Sequence, residues 1–333
     1  MNKQYNFVFN TKEWAKIVTE CYGFKDYSLH SDNAHLPLFY SNSPLFGKKI
    51  VSAVFNTYAE PIYSNVKELD EIVGKAIQIA RNNNVQYLEI KSINKIPNQI
   101  IENNNLHISS HYKTTILELD KYDDVFNGYK KQFKQNIRTG RKKLESNGIR
   151  IYRSKNFSDL SRYYNLLVKL YRDTHLMIPQ PFKLFKLIFE YYIKKDNGDF
   201  WVAKTADDKL IGGIITLLNE KNVTYSLGAT DEKYKQYAPN IHLVDNAIHY
   251  YCNNGFKLFD FGISSPNQKG LVFFKSRWGG KTIDLPYYYY LVRAKEVPKI
   301  DFSNAYMWIR KPIKLIPVSL IKVISSIIVK KLN

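Results

Sequence analysis

The apolar positions of the chain follow two different periods, which predict strands and helices in alternation. In the first half, apolar runs at 36–41 and 49–55 flank a short turn that contains proline and glycine. In the second half, runs at 200–205, 210–218 and 223–228 are joined by turns of hairpin length. An amphipathic stretch and a further apolar run follow in each half. Each half is therefore predicted to hold an antiparallel meander, a helix and a following strand.

The two halves also resemble each other directly. Residues 76–90 align with residues 247–261 without a gap, at an offset of 171 residues. Ala-Ile and Asn-Asn coincide in the two segments, and every apolar position of the predicted strand stays apolar. Both segments are typical of a helix, an Asn/Gly stop and a strand. The repeat favours a duplicated α+β fold.

A basic segment lies between the halves, at 122–148. Its aromatic and aliphatic residues recur at helical spacing and predict one helix over about 126–147, ended by Gly148. Seven cations occupy other positions, with no acid between Asp124 and Glu145: Lys130, Lys131, Lys134, Arg138, Arg141, Lys142 and Lys143. The pattern fits either an ordinary solvated helix face or a face that binds phosphate groups.

Length and charge define the broad class of protein. The chain has 333 residues, 44% of them apolar, and a formal net charge of +19. We predict an N-terminal domain at 1–148, a C-terminal domain at 149–300 and a basic amphipathic tail at 301–333. The charge favours an anionic partner such as nucleic acid, a membrane surface or a phosphorylated substrate, although scattered surface lysine would produce it as well.

The tail is too short and too charged to span a bilayer. Over 318–332 it reads as an amphipathic helix with one polar stripe, formed by Ser319, Lys322, Ser325, Ser326 and Lys330. Such a helix either packs back onto the core or lies on an anionic membrane surface. With no signal segment at the start, we expect a cytoplasmic protein, or one peripheral at the inner face of the membrane.

Several kinds of site are disfavoured by the sequence. Cys21 and Cys252 suggest neither a disulfide framework nor a zinc site. His107 and His111 fall in a predicted strand without further ligands, so no metal site is expected. The chain lacks a Gly-rich nucleotide loop and a Gly-x-Ser-x-Gly elbow, and no recognised nucleic-acid motif predicts DNA as a partner.

The stretch 259–280 is where the sequence suggests chemistry. A buried strand carrying Asp260 is followed by a Ser/Pro/Asn/Gly turn, then by an aromatic run that contains Lys275 and ends at Trp278-Gly279-Gly280. A lysine among aromatic residues is costly to dehydrate unless it has a partner or a task. Paired glycines allow close approach of backbone to a ligand.

Several motifs together resemble the signature of FemAB-type transferases of the GNAT superfamily. The first is the stretch 259–280 itself, with its Phe-Asp-Phe-Gly, Phe274-Lys275 and Trp-Gly-Gly elements. The others are the basic Asn-Ile-Arg helix at 134–142, Pro239-Asn240 at the second repeated helix, and the segment Tyr171 to His175. The resemblance runs in order from about residue 36 to residue 291.

This resemblance implies two tandem GNAT-like domains, each with an antiparallel-to-mixed sheet flanked by helices. It also implies transfer of an acyl or aminoacyl group to an amine of a cell-envelope precursor, either peptidoglycan or a surface-polysaccharide amino sugar. The donor would be an acyl-CoA or an aminoacyl-tRNA, and the precursor could be lipid-linked. No tightly bound cofactor is implied.

The roles that the resemblance implies fall into three groups. Lys275 would stabilise the oxyanion, with His175 and Asp260 as candidates for the general base. The donor would be bound by Asn240, Phe274, Trp278, Gly279 and Gly280. The acceptor or phosphate groups would be bound by Tyr171, Arg172, Lys134, Arg138 and Arg141.

Two departures from the family pattern limit these implications. The pyrophosphate loop of ordinary acetyltransferases is missing before the second repeated helix, so acetyl-CoA in particular is unsupported. The long coiled-coil arm of some FemAB enzymes is also missing, so tRNA binding through such an arm is unsupported. The alternative is a non-catalytic GNAT-like module that binds an anionic glycan or RNA.

Overall fold

The structure is a computed structural model. It describes residues 5–44, 47–55, 57–265, 267–298 and 312–331. Pro266 of the signature and residues 301–311 of the predicted tail lie outside this part of the chain.

Helices and strands alternate as the hydrophobic pattern predicts. The α-helices of the described residues are α1 (Lys12–Tyr22), α2 (Val66–Asn82), α3 (Asn98–Asn103), α4 (Tyr122–Asn127), α5 (Lys131–Ser146), α6 (Phe157–Leu170), α7 (Phe182–Tyr191), α8 (Pro239–Asn253), α9 (Lys269–Ser276) and α10 (Val318–Lys331). The strands of the first half are β1 (Lys25–Asp26), β2 (Leu29–His30), β3 (Ala34–Leu36), β4 (Phe39–Ser43), β5 (Gly47–Val51), β6 (Ile62–Tyr63), β7 (Tyr87–Lys91) and β8 (His107–Glu118). Those of the second half are β9 (Arg150–Arg153), β10 (Gly198–Lys204), β11 (Leu210–Asn219), β12 (Asn222–Thr230), β13 (Leu258–Ser264) and β14 (Lys281–Leu291).

A single sheet runs through both halves. Its eleven strands lie in the order β1-β4-β5-β7-β14-β8-β13-β12-β11-β10-β9, and β2, β3 and β6 form a separate small sheet. β14, from the second half, lies between β7 and β8 of the first, antiparallel to both. The boundaries at 148 and 300 stay a prediction, but the halves are joined by continuous strand pairing.

The internal repeat has a structural counterpart in each half. α2 ends at Asn82 and α8 at Asn253, and the next strands begin at Tyr87 and Leu258, so the offset of 171 residues is kept. In both halves a strand that precedes the helix pairs in parallel with the strand after it, β5 with β7 and β12 with β13, although the short β6 lies between β5 and α2. The prediction of a repeated helix-and-strand unit is confirmed.

The basic segment does not form the one helix that was predicted. α4 ends at Asn127, and α5 begins only at Lys131. Lys130 is extended, with ψ of 136°, and the backbone N–H of that residue bonds to the carbonyl of Arg277 instead of continuing a helix. The tertiary contact with the end of α9 therefore breaks the run of helical residues.

The second half of the sheet is covered on both faces, which explains its uninterrupted apolar strands. Every residue of β10 is buried. Phe200 and Val202 pack into the core beneath α1, α6 and α7, whereas Trp201 and Ala203 pack on the other face, beneath α5 and α8. This alternation is the period-two geometry of a strand between two helical layers.

Candidate active site

The candidate site lies where two parallel strands separate. β12 and β13 pair only from Asn222 to Thr224, opposite Leu258 to Asp260. β13 then shifts register against β8 between Asp260 and Ile263. Gly262 adopts a positive φ of 72° at this irregularity, a conformation that side chains other than glycine rarely take. The backbone beyond Asp260 is therefore released from β12 and is free to bind other groups.

Lys275 binds the backbone of β13 that β12 no longer contacts. It lies near the end of α9, with 3% of its surface exposed. Its Nζ donates to the carbonyl oxygens of Gly262 at 2.6 Å and Ile263 at 3.0 Å. Among the described residues no third acceptor contacts the ammonium group, so one N–H is left for a ligand. Burial lowers the pKa of Lys275 to about 8, and the nearby charge of Asp260 acts in the opposite direction.

Asp260 organises the other side of the same backbone turn. Its Oδ1 accepts from the hydroxyl of Thr114 at 2.5 Å and from the N–H of Gly262 at 2.9 Å, and its Oδ2 accepts from the hydroxyl of Tyr58 at 2.5 Å. Burial raises the pKa of Asp260, although these hydrogen bonds and Lys275 oppose the rise. Both carboxyl oxygens are occupied, which favours a positioning role over that of a general base.

A second buried carboxyl group, Glu60, was missed by the sequence analysis. It lies in the segment between β5 and β6, is fully buried, and has no hydrogen-bond partner for either oxygen among the described residues. Burial raises its pKa well above the ordinary range, and the negative charge of Asp260 adds to the effect. Nothing in the local sequence signals this, because the groups that surround Glu60 come from elements far along the chain.

Beyond the separation, Tyr225 of β12, which the sequence did not single out, contacts the predicted donor residue Asn240 of α8. The hydroxyl of Tyr225 donates to Oδ1 of Asn240 at 3.4 Å, near the start of α8. The ring of Tyr225 lies close enough to Gly228 that a Cβ there would clash with its hydroxyl. The start of α8 and the separated part of β12 therefore form one surface.

Trp278, Gly279 and Gly280 have clear packing roles. Trp278 is fully buried and makes edge contacts with Tyr129 and Phe133. Gly279 has a positive φ of 75°, and a Cβ on it would lie 2.7 Å from the carbonyl of Gly128. The backbone at Gly279 therefore lies close to another part of the protein and not to a ligand. Contact of Trp278, Gly279 and Gly280 with the donor stays a prediction.

The cavity beside Trp278 and Gly279 is acidic. Its volume is about 510 Å³, and Glu118, Asp120 and Asp124 are among its lining residues. Carboxylates repel the phosphates of an acyl-CoA or a tRNA. Phe274, half-buried and in contact with Trp278 across 5.8 Å, lies on α9 beside Lys275 and is the better-placed of the predicted donor aromatics.

The predicted acceptor segment forms a single π-helical turn, Tyr171–His175, at the end of α6. His175 is exposed and contacts Tyr171 edge-on, with ring centroids 5.2 Å apart; partial desolvation lowers its pKa. Arg172 forms two hydrogen bonds with the carboxylate of Asp173, its neighbour in sequence. No contact in the described residues connects this turn with Lys275 or Asp260, so the structure does not bring all candidates into one cluster.

The predicted phosphate-binding cations differ in their surroundings. Arg141 is ion-paired with the fully buried Asp245 at 2.6 Å and also donates to Tyr122. Lys134 donates to the carbonyl of Asn127 at 3.0 Å, and Arg138 is exposed with its guanidinium over the ring of Phe126. Arg141 therefore holds α5 against α8, whereas Arg138 is available to a ligand.

Two searches of the described residues bear on other kinds of site. No group of three or more His, Cys, Asp or Glu side chains there could hold a metal ion. No helix in the same part of the chain is both long and apolar enough to cross a membrane.

Comparison with known proteins bears on this geometry. Residues 131–270 match the family model described as an acetyltransferase (GNAT) domain. No curated protein sequence matches the chain. The match to the family model supports the resemblance to FemAB-type transferases of the GNAT superfamily noted in the sequence, and it identifies an acyltransferase-type domain over residues 131–270.

Solved structures with the same fold cover almost the whole chain. The structure of FemX matches with a TM-score of 0.71 at 14% identity, over 87% of this chain and 94% of that one. The C-terminal domain of a putative lysylphosphatidylglycerol synthetase from Agrobacterium fabrum matches with a TM-score of 0.60 at 13% identity, over 84% and 87%. A tandem GNAT protein from the clavulanic acid biosynthesis pathway matches with a TM-score of 0.50 at 10% identity, over 82% and 84%. The predicted α+β fold of tandem GNAT-like domains is confirmed.

The ion pair of Arg141 yields the first prediction. Arg141→Ala leaves Asp245 buried without its cation, and we expect the free energy of unfolding to fall by about 2 kcal/mol. The value lies below that of a fully enclosed pair because the guanidinium is 40% exposed. Urea denaturation measures it, with Arg138→Ala as the matched control that should change stability by less than about 0.5 kcal/mol. Equal stability of the two variants would contradict the structural role of Arg141.

Gly279 yields the second prediction. Gly279→Ala places a Cβ against the carbonyl of Gly128 and forces a left-handed backbone on alanine, so we expect a loss of at least about 2 kcal/mol in unfolding free energy. Gly270→Ala is the matched control, since open space surrounds Gly270. A Gly279→Ala protein that keeps its stability but loses activity would instead support the predicted contact with the donor.

Proposed function

We propose that the protein transfers an acyl or aminoacyl group to an amine of a cell-envelope precursor, and that Lys275 stabilises the transition state. The observation that carries the proposal is the dehydrated ammonium group at the point where β12 and β13 separate. Two carbonyl oxygens fix its position, and one N–H remains for a ligand oxygen. A preorganised cation in a site shielded from water is suited to negative charge that develops only during reaction.

The chemistry is an exchange of one acyl bond for another. The amine nitrogen attacks the carbonyl carbon of the donor, and the C–N bond forms while the carbonyl electrons move to oxygen. That oxyanion is held by Lys275. When the C=O bond re-forms, the C–S bond of a thioester or the C–O bond of an ester breaks, the nitrogen loses a proton, and the leaving group takes one up. Asp260 positions the backbone that holds Lys275 but does not touch the reacting atoms.

Two donor classes fit the proposal. The GNAT family model favours an acyl-CoA, and the likeness to FemX keeps an aminoacyl-tRNA as the second candidate. Both carry phosphates, which the exposed Arg138 and the cations near it on α5 would contact. Asn240, Phe274 and Tyr225 would line the path between those phosphates and Lys275.

The acceptor is inferred from the resemblance to FemAB-type enzymes and from the name of one structural neighbour, a lysylphosphatidylglycerol synthetase domain. We propose that the acceptor binds on the side of Tyr171, Arg172 and His175, where a π-helical turn carries an exposed imidazole beside a half-buried tyrosine and an arginine that is paired with Asp173. Either a peptidoglycan precursor or an amino sugar of a surface polysaccharide would fit such an acceptor site. Each of the two can be lipid-linked.

A lipid-linked acceptor is supported by the outer face of α10. The helix packs on α6 through Ile321, Ser325 and Val329, so the predicted polar stripe is partly turned inward. Its outer face is apolar instead, with Leu320, Val323 and Ile327 each about half exposed, at 48%, 55% and 54%.

Lysines lie at the rim of this apolar face. Lys314 is exposed next to Leu315, which is 86% exposed, and Lys322 lies on α10 itself. Apolar side chains ringed by cations are typical of surfaces that bind anionic lipid. We propose that α10 rests on an anionic membrane and brings the site to a lipid-linked acceptor.

Lys275→Met provides the test of the catalytic proposal. With a set of radiolabelled acyl-CoA thioesters or a pool of radiolabelled aminoacyl-tRNA as donor, and a UDP-linked muramoyl pentapeptide or an amino-sugar nucleotide as acceptor, the wild-type protein should transfer label to the amine. The variant should turn over at least about 100-fold more slowly, since an oxyanion donor is lost. Lys269→Met, an exposed lysine of the same helix, is the control and should leave the rate unchanged.

The pH profile adds an independent check. Lys275 is charged below its pKa of about 8, so transfer should decline as the pH rises through that value. Normal turnover by a folded Lys275→Met protein would refute the role of Lys275. Salt-sensitive binding of RNA or glycan by the wild-type protein, without any transfer, would favour the non-catalytic module instead.

The membrane proposal is tested with vesicles. The wild-type protein should cosediment with vesicles of phosphatidylglycerol but not of phosphatidylcholine, and added salt should weaken binding. Replacing Leu320, Val323 and Ile327 together by serine should reduce partitioning at least about 30-fold, because their apolar surface no longer enters the bilayer. Ile108→Ser, an equally exposed apolar residue on β8, serves as control. Wild-type protein that stays in the supernatant with both lipids would contradict the proposal.

A further inference from the structure

Glu60 is an exception among the buried acids of this protein. Four other acids with little or no exposure each have a cation: Glu89 pairs with Lys91, Asp159 with Lys204, Asp199 with Arg153, and Asp245 with Arg141. Glu60 is fully buried and has neither a cation nor a donor from another residue among the described residues; its own backbone N–H is the one donor beside it. An unpaired buried carboxyl group lowers stability, which indicates that it is kept for a partner that the protein alone does not supply.

The surroundings of Glu60 connect it with the candidate site. The chain reaches it through Ala59, whose N–H bonds to the carbonyl of Lys91 at the end of β7. Tyr58, two residues earlier on the same extended segment, donates to Asp260 at 2.5 Å. The titratable groups that face Glu60 are therefore Asp260 from β13 and Tyr58 from its own segment, with Lys275 on the far side of Asp260.

Only one of the two buried carboxyl groups, Asp260, has a cation beside it, and Glu60 has none among the described residues. Two carboxyl groups and one ammonium group share the buried region, and Lys275 is held on the side of Asp260 by two backbone carbonyls. A ligand that brings a protonated amine next to Glu60 would supply the missing positive charge and the missing hydrogen-bond donors together. The acceptor of an acyl transfer to nitrogen is such a ligand.

We propose that Glu60 binds the amino group of the acceptor and removes its proton. The inference rests on the proposed function, of which it specifies the acceptor side. As the ammonium enters, Glu60 gives its own proton to solvent and forms an ion pair. One proton then passes from nitrogen to the carboxylate, so that R–NH₃⁺ and –COO⁻ become R–NH₂ and –COOH. The freed lone pair attacks the donor carbonyl, and Glu60 passes its proton to the leaving group. The carboxylate that remains takes up the second proton, which the nitrogen loses as the amide forms.

The dry surroundings favour this transfer. Burial and the charge of Asp260 stabilise the neutral form of Glu60, so the carboxyl group holds a proton more tightly than an ordinary glutamate does. A neutral amine beside a neutral acid is also better tolerated in a region of low polarity than an ion pair is. The burial of Glu60 lowers the stability of the free protein, and the same burial makes Glu60 an effective base.

Stability without any ligand is the first arm of the test. Glu60→Leu and Glu60→Gln should unfold at the same or a higher urea concentration than wild type, because an unpaired buried acid is removed. Glu89→Gln, which breaks the ion pair with Lys91, is the matched control and should unfold at a lower concentration. A drop for the Glu60 variants as large as that of Glu89→Gln would overturn the inference, since it would mean that Glu60 has a structural partner.

Kinetics are the second arm, with the donor and acceptor probes named above. Glu60→Gln should lower kcat for transfer to the amine at least about 100-fold. Below the pH at which Lys275 loses its proton, the wild-type rate should rise with pH because Glu60 must give up its proton when the ammonium binds. This rise should vanish in Glu60→Gln, whereas the decline that follows the pKa of Lys275 should remain. Slow hydrolysis of the donor by water should stay at the wild-type rate, because Lys275 is intact. Transfer by Glu60→Gln at the wild-type rate would overturn the inference while the proposed function stands.

Failure of the proposed function has a different signature. A wild-type protein that neither transfers nor hydrolyses any donor probe would contradict the function itself. The inference about Glu60 rests on that function and would fall with it, whatever the unfolding arm returned.

Discussion

The interaction on which the candidate site depends is the contact between the ammonium group of Lys275 and the carbonyl oxygens of Gly262 and Ile263. These carbonyls belong to backbone that has separated from β12, and Lys275 donates to both of them, although the hydroxyl of Thr114 also reaches the carbonyl of Gly262 at 3.0 Å. Lys275 satisfies them, and they in turn hold a charge in a region where charge is costly. The irregularity at Gly262, the carboxylate of Asp260 and the helix α9 all serve this one contact.

The rest of the site follows from how the halves are joined. β8 of the first half supplies Thr114, and the segment after β5 supplies Tyr58; both donate to Asp260 in the second half. The cluster around Asp260 is thus built from both halves, and the continuous sheet keeps them in register. The acceptor-side turn at Tyr171–His175 lies apart from this cluster, so our account needs the substrate itself to span the two.

Much of the fold and the central lysine could be predicted from the sequence, because both depend on local patterns. Period-two and helical spacing located the strands of the second half, and the repeat at an offset of 171 residues corresponds to two equivalent crossover units. Lys275 stood out because a lysine within an aromatic run is unusual. This signal is visible in the sequence without knowledge of the residues that Lys275 contacts in the fold. These signals lie within a few residues of the features they predict.

What the sequence could not provide are partners distant along the chain. Arg141 reads as one cation among seven, yet its ion pair with Asp245 spans 104 residues. In the sequence Glu60 looks like an exposed loop residue, although it is fully buried in the folded protein. The polar stripe of α10 suggested which face would meet water, but Ser325 faces the core and Val323 faces outward. In each case tertiary packing overrides the local pattern.

The ionisation of Lys275 tests the central claim most directly. The Nζ resonance of this lysine, assigned by comparison with Lys275→Met and followed by ¹⁵N NMR as a function of pH, reports its pKa in the folded protein. Our account predicts a value of about 8 for Lys275. A value for Lys275 near the ordinary 10.5 would mean that the ammonium is hydrated, and it would contradict the site described here.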